Sequence, residues 1–88
     1  MVNKCLLFNL PSGAGGMAAG MTRGAISQKL GYLKITGKIG KNIKTKTVRY
    51  EYKVWLESDV DYTVFFLLWE PENSWQKPKL IDEPWVED

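Results

Sequence analysis

The sequence predicts a small α+β domain, and three observations indicate this class. Eighty-eight residues suit one domain, which buries about 60 to 65% of its unfolded surface. An apolar content of 44%, with eleven aromatic residues (four Trp, four Tyr and three Phe), supplies a core. Helical periodicity marks residues 21 to 36, whereas strand-like alternation marks residues 47 to 56. We expect one compact unit over residues 1 to 70 and an acidic tail over residues 71 to 88 that packs on this unit or extends from it.

Charge divides the chain into two halves. The first fifty residues contain nine of the twelve Lys and Arg residues and none of the ten Asp and Glu residues. A basic half suits phosphate binding, because each neutralised phosphate releases counterions. There is no histidine and one cysteine, Cys5, which excludes an internal disulfide and removes the commonest general base and metal ligand. We therefore expect no enzymatic activity, no metal and no cofactor.

The N-terminal segment, Leu6-Leu-Phe-Asn-Leu10, fits either a strand or a first helix. The glycine-rich stretch that follows has the Walker spacing at Gly15 and Gly20, but Met21 stands where the phosphate-binding lysine is required. A nucleotide-binding loop is therefore disfavoured. No run of about 18 apolar residues is present, and we expect a cytoplasmic protein that does not enter the membrane.

A helix is expected after Gly20, which we interpret as a turn between two helices. Thr22 is a suitable N-cap, and Met21 can form a hydrophobic staple with Ile26 across the helix start. Apolar residues then recur at spacings of four and three: Ile26, Leu30 and Leu33. Gly37 is a plausible left-handed cap at the end of this helix.

The next segment predicts a basic hairpin. Turn residues occur at Gly40 to Asn42, and lysines occupy positions 41, 44 and 46. Residues 47 to 56 alternate as one strand with a single buried face, and only Trp55 departs from the alternation. The hairpin could lie along a phosphate backbone, or its lysines could protect an edge strand from aggregation.

The motif Gly20-Met-Thr-Arg-Gly-Ala-Ile-Ser-Gln-Lys-Leu30 resembles the turn and recognition helix of bacterial helix-turn-helix proteins. The continuation through Ile39 resembles the exit of the recognition helix in winged-helix regulators, and the class resemblance covers about residues 12 to 56. It implies a winged-helix-like domain with a basic hairpin and a further antiparallel strand. The DNA contacts that the resemblance implies are Thr22, Arg23, Gly24, Ser27, Gln28, Lys41, Lys44, Lys46 and Arg49. The alternative fold is a helix packed on a three- to four-stranded antiparallel sheet.

Residues 60 to 70 are the most apolar segment, and their β-branched and aromatic content favours a strand. A short helix capped by Ser58 or Asp59 is the alternative. An apolar segment of this kind could also mediate a homodimer through residues 60 to 69. The tail contains Trp75 and Trp85, which could pack on the sheet or dock on a protein partner, and its acids could compete with nucleic acid for the basic front.

These observations leave two functions open. The first is a small protein that binds double-stranded DNA and acts as a prokaryotic, phage or plasmid transcription regulator. The second is a protein-binding inhibitor or adaptor with no nucleic-acid role. The topology separates them. If residues 3 to 10 form a strand in the same sheet as residues 46 to 57, the helix is a packing element and the DNA-binding interpretation loses most of its support. If residues 3 to 10 form a helix, the DNA-binding interpretation gains support.

Overall fold

Four strands and two helices make up the fold. The computed structural model describes residues 4–10, 17–71 and 77–87. The elements, in chain order, are β1 (Cys5–Asn9), α1 (Met17–Ile35), β2 (Lys44–Val48), β3 (Glu51–Trp55), α2 (Asp59–Leu68) and β4 (Lys79–Ile81).

The strands form one antiparallel sheet in the order β2-β3-β1-β4. The two interior strands pair with Phe8 opposite Tyr52 and Leu6 opposite Val54. This connectivity is the split βαβ arrangement of the ferredoxin-like topology. The α+β class is confirmed, and the four-stranded sheet with packed helices matches the alternative fold. Residues 5–9 thus form a strand in the same sheet as residues 51–55, so α1 is a packing element and the winged-helix interpretation of this helix loses most of its support.

Both helices contribute to one hydrophobic core with one face of the sheet. Phe8 lies at its centre, with its ring centroid 6.0 Å from that of Phe65, 6.0 Å from that of Trp69 and 6.3 Å from that of Tyr52. The buried members of this core are Leu6, Phe8, Leu10, Ile26, Leu30, Leu33, Ile39, Tyr52, Val54, Leu56, Tyr62 and Phe65. Because side chains alternate along a strand, Lys53 and Trp55 project from the opposite side of the sheet, which we call the open face.

Helix α1 is longer than predicted, since it begins at Met17 and continues through Gly20. Gly20 is therefore not an interhelical turn, and Thr22 is a buried residue within the helix instead of its N-cap. A glycine within a helix costs about 1 kcal/mol relative to alanine. Burial of the stripe that starts at Thr22 and continues through Ile26 offsets this cost at Gly20. The predicted C-terminal cap is confirmed: Gly37 has φ 74°, and the N–H of Lys38 donates to the Leu33 carbonyl at 2.9 Å in a Schellman motif.

The hairpin turn lies elsewhere than expected. The prediction of one strand over residues 47 to 56 is wrong, because Arg49 and Tyr50 form a two-residue turn between β2 and β3. Residues 40–42 instead belong to the connection that precedes β2. Arg49 adopts φ 55°, a conformation in which glycine, asparagine or aspartate is usual. The sequence therefore lacks the residues that normally mark such a turn.

The preferred strand over residues 60 to 70 is also wrong, and the helical alternative is confirmed. Ser58 caps α2, and its Oγ accepts a hydrogen bond from the Asp61 N–H at 3.3 Å. Tyr62 and Phe65 point into the core. The Asp61 carboxylate also accepts the Gly40 N–H at 3.1 Å, which ties the start of α2 to the segment after α1.

The C-terminal segment contributes to the same fold. Strand β4 pairs with β1, with Cys5 opposite Ile81. Residues 82–87, which we call the C-terminal arm, continue from this edge strand and contact the open face. Trp75, one of the two predicted partner-binding tryptophans, lies outside the described residues.

Candidate nucleic-acid interface

The pairing of β2 with β3 brings three lysines together on the open face. Lys46 lies directly opposite Lys53, and Lys44 lies directly opposite Trp55. Like charges placed directly opposite each other on neighbouring strands destabilise a sheet. The pair Lys46 and Lys53 therefore favours the approach of an anionic group to this face. We call Lys44, Lys46, Lys53 and Trp55 the basic aromatic cluster.

The C-terminal arm supplies an anion and an aromatic ring to this cluster. The Lys53 Nζ donates to both carboxylate oxygens of Glu83, at 3.0 and 2.9 Å. The Trp55 indole N–H donates to the Glu83 carbonyl at 2.8 Å. The Trp85 ring meets Trp55 edge-on, with centroids 5.0 Å apart and an interplanar angle of 70°. Lys44 completes the arrangement, with its Nζ 5.9 Å from the centroid of the Trp85 ring.

The open face thus has a small buried layer of its own. Trp55 is 2% exposed and Cys5 is fully buried, although neither belongs to the core beneath the helices. Burial raises the pKa of the Cys5 thiol to about 11; Glu83 adds to the rise, and Lys53 opposes it. The hydrogen bond to Glu83 raises the pKa of Lys53 above its ordinary value of 10.5. Lys53 is therefore a cation at neutral pH.

Docking of the arm on the cluster leaves a gap. A cavity of about 250 Å³ lies between the arm and the hairpin, lined in part by Lys46, Trp55 and Trp85. The indole nitrogen of Trp85 is buried and has no hydrogen-bond partner. An unsatisfied buried donor costs about 1 to 3 kcal/mol. The arm therefore complements the cluster incompletely.

The predicted DNA-contacting residues fall into three groups: five on α1, two on β2 and two in the connections. On α1, Thr22 is buried beneath the helix, whereas the other four predicted residues are exposed: Arg23, Gly24, Ser27 and Gln28. Lys44 and Lys46 project from the opposite face of the sheet, as the register with β3 requires. The remaining two lie in connections, Lys41 before β2 and Arg49 in the hairpin turn. One flat surface cannot contact α1 and the lysines of β2 together.

Sequence reasoning missed three residues of the cluster and arm: Lys53, Trp55 and Glu83. The one signal was Trp55, a large apolar residue at a position where the alternation predicts a polar one. A buried residue on the polar side of a strand indicates that something covers that side. The sequence could not show that the cover is the arm, because Trp55 and Glu83 are 28 residues apart.

A second surface with functional potential lies on the outside of the helix layer. Leu67 is 77% exposed and Val60 is 69% exposed on α2, and Ile35 is 86% exposed at the end of α1. Lys38 lines an open depression with Val64, Leu67 and Leu68. This apolar surface is a candidate for protein contact, since exposed apolar patches commonly mark interaction sites.

Comparisons with protein-family models, curated proteins and solved structures return no match. Among residues 4–10, 17–71 and 77–87, no group of three or more His, Cys, Asp or Glu side chains could hold a metal ion. Neither helix in this described part of the chain is long and apolar enough to cross a membrane.

Proposed function

We propose that this protein is a non-enzymatic nucleic-acid-binding protein whose open sheet face contacts the phosphate backbone. The observation that carries the proposal is the facing pair Lys46 and Lys53, flanked by Lys44 and Trp55. Lys53 bonds to a carboxylate of the arm, that of Glu83, so the cluster offers a position for an anionic oxygen that a phosphate could also occupy. A role in transcription regulation is compatible with this proposal.

The charge distribution around the cluster supports the proposal. Lys41 precedes β2, and Arg49 lies at the tip of the hairpin, so the basic residues continue along the edge of the sheet formed by β2. Contacts of this kind position a nucleic acid and add affinity, but they carry no sequence information. We therefore expect salt-dependent binding with weak sequence preference.

Helix α1 has a smaller part in this proposal than in the winged-helix hypothesis. Its apolar stripe packs on the sheet, and Thr22 is buried with that stripe. The exposed side of α1 still carries Arg23 and Gln28. A regulator that reads double-stranded DNA through α1 is the alternative arrangement, and variants on the two surfaces distinguish it from binding at the open face.

The test is a fluorescence anisotropy titration of labelled single-stranded and duplex oligonucleotides at several salt concentrations. Each phosphate of a single strand that the protein neutralises contributes about 0.7 to the magnitude of the slope of log K against log salt. The double variant Lys44→Ala/Lys46→Ala should therefore reduce the slope by about 1.4. Lys34→Ala on α1 is the control, because it also removes one positive charge at the substituted position but lies exposed on the helix layer. This variant should leave the slope near that of the wild type.

Two results would count against the proposed site. If the wild type binds no oligonucleotide at low salt, the protein is not a nucleic-acid-binding protein of this kind. If Gln28→Ala weakens binding to some sequences and the Lys44/Lys46 variant binds normally, α1 is the contact surface.

A second candidate function is protein binding, and we propose a second copy of this chain as the partner. Val60, Val64 and Leu67 recur at spacings of four and three residues, as in a helix that packs on another helix. In an antiparallel pair of α2 helices about a two-fold axis, Val60 would face Leu67. Asp59 would then approach Lys38 of the second copy, because Lys38 lies beside Leu67.

Sedimentation equilibrium tests this candidate. A concentration-dependent dimer that is abolished in Leu67→Glu, but kept in Val86→Glu on the arm, supports the α2 interface. Leu67 is 77% exposed and Val86 is 63% exposed, so neither substitution buries a charge in the monomer. A wild-type protein that stays monomeric at high concentration excludes a stable dimer through residues 60 to 69.

A further inference from the structure

We propose that the basic aromatic cluster binds single-stranded nucleic acid and that the C-terminal arm competes with this ligand from within the same chain. This inference rests on the proposed function and adds the class of nucleic acid and a means of regulation. The supporting observation is that the arm places a carboxylate and an aromatic ring where a strand would place a phosphate and a base.

The carboxylate of Glu83 occupies the position expected for a phosphate. It accepts two hydrogen bonds from Lys53, and an ammonium group makes the same charge-assisted bonds to phosphate oxygens. Because Lys46 lies opposite Lys53, a phosphate at this position would lie beside both lysines. Displacing Glu83 therefore exchanges one anion for another.

Trp85 occupies the position expected for a base. Its ring packs edge-on against Trp55, with centroids 5.0 Å apart and an interplanar angle of 70°. A base that replaces this ring could stack on the indole, since every nucleobase has a face that can stack. A base in a duplex is already stacked and paired, whereas a base in a single strand is free to stack on protein. Trp55 therefore favours single strands over duplex.

The arm is held weakly enough to be displaced. The side chain of Glu83 is 40% exposed and that of Lys53 is 17% exposed, so solvent reaches the carboxylate and partly screens this ion pair. The arm also leaves the Trp85 indole nitrogen without a hydrogen-bond partner. A ligand that supplies several phosphates and bases can compensate for these interactions and add more.

The experiment compares single-strand binding by full-length Glu83→Gln and Glu87→Gln. Both variants remove one negative charge from the arm, but only Glu83 bonds to Lys53. Glu83→Gln should tighten binding of a single-stranded oligonucleotide about two- to fivefold, the equivalent of one partly exposed ion pair. Glu87→Gln should bind nearly as the wild type does. Equal gains in the two variants would overturn competition by the arm, because charge alone would then explain them.

A lysine variant tests where Glu83 acts. If Glu83 competes at Lys53, the gain from Glu83→Gln should disappear when Lys53→Ala is also present. A gain of undiminished size in the double variant would contradict competition at this lysine.

Three comparison ligands, an abasic strand, a duplex and polyglutamate, identify what the cluster recognises. An abasic oligonucleotide should bind Glu83→Gln at least about fivefold more weakly than a base-containing strand of equal length, because stacking is removed. Equal binding would overturn the assignment of Trp55 as a stacking platform. A duplex that binds more tightly than the single strand would overturn the ligand class and leave the proposed function intact. Polyglutamate that binds as tightly as the oligonucleotide would overturn the ligand class and indicate an acidic protein ligand instead. A lack of binding to any oligonucleotide would refute both this inference and the proposed function.

Discussion

Replacing Gly24 with alanine should stabilise the protein. Gly24 lies within α1 and is exposed, and a Cβ added at this position would have no heavy atom within 4 Å. Alanine is favoured over glycine in a helix interior by about 1 kcal/mol. For a domain of this size, that gain raises the melting temperature by roughly 4 to 8 °C. Gly31→Ala should behave similarly, since its added Cβ also has open space.

Thermal unfolding followed by circular dichroism measures the gain, and oligonucleotide anisotropy measures its functional effect. Gly24 and Gly31 lie seven residues apart, about 10 Å along the helix, so the two gains should add in the double variant. Binding should stay unchanged if the open face is the site. A destabilised Gly24→Ala protein would refute the packing of α1, and a stabilised protein with weakened binding would show that nucleic acid approaches α1 closely.

Three further predictions concern the hairpin, the core and the buried thiol. Arg49→Gly should raise the free energy of unfolding by about 1 kcal/mol in chemical denaturation, because φ 55° is strained for a residue with a Cβ. An unchanged or lower free energy of unfolding would contradict strain at this turn. The same substitution should weaken nucleic-acid binding, because it removes a positive charge. Tyr62→Phe should cost about 1 to 3 kcal/mol, because the hydroxyl accepts the Leu56 N–H at 3.0 Å and donates to the Lys4 carbonyl, and a near-neutral urea midpoint would argue against both bonds. Burial raises the pKa of the Cys5 thiol from 9.0 to about 11, so the thiol loses its proton at lower pH in the unfolded chain than in the folded one. The protonated thiol therefore contributes fully to stability below pH 9, and this contribution is lost as the pH rises to 11. Cys5→Ala should reduce the fall in stability over this range by about 2 to 3 kcal/mol, and an unchanged pH profile would contradict a raised pKa for this thiol in the folded protein.

Part of the fold could be predicted because its signals are local. The stripe of Ile26, Leu30 and Leu33 identifies the buried side of α1, and Gly37 ends the helix as expected. The helix start could not be predicted in the same way. Gly20 is a typical turn residue, and its helical conformation depends on burial of Thr22 and Ile26 against a sheet that the local sequence does not reveal.

The choice between strand and helix over residues 60 to 70 illustrates the same limit. Tyr62 and Phe65 favour strands by propensity, but in this chain they fill the core beneath α2. The cap at Ser58 was the correct local signal. Tertiary packing outweighs a weak intrinsic preference when a short segment is apolar on every side.

The candidate site was only partly accessible from sequence. The predicted residues Lys44 and Lys46 belong to the cluster, but the turn at Arg49 determines that they lie beside Lys53 and Trp55. Glu83 reaches the cluster through strand β4 and the arm, so its role depends on long-range topology. Charge patterning indicated a basic surface and could not indicate which side of the sheet carries it.

The most direct test of binding at the open face is chemical-shift mapping of the isotope-labelled full-length protein during titration with a single-stranded oligonucleotide. We expect the largest changes at Lys46 and Lys53, at the Trp55 indole N–H and at Glu83, because the ligand replaces the arm on the open face. Changes concentrated instead at Arg23 and Gln28 on α1, with the open face and arm unaffected, would contradict the central claim.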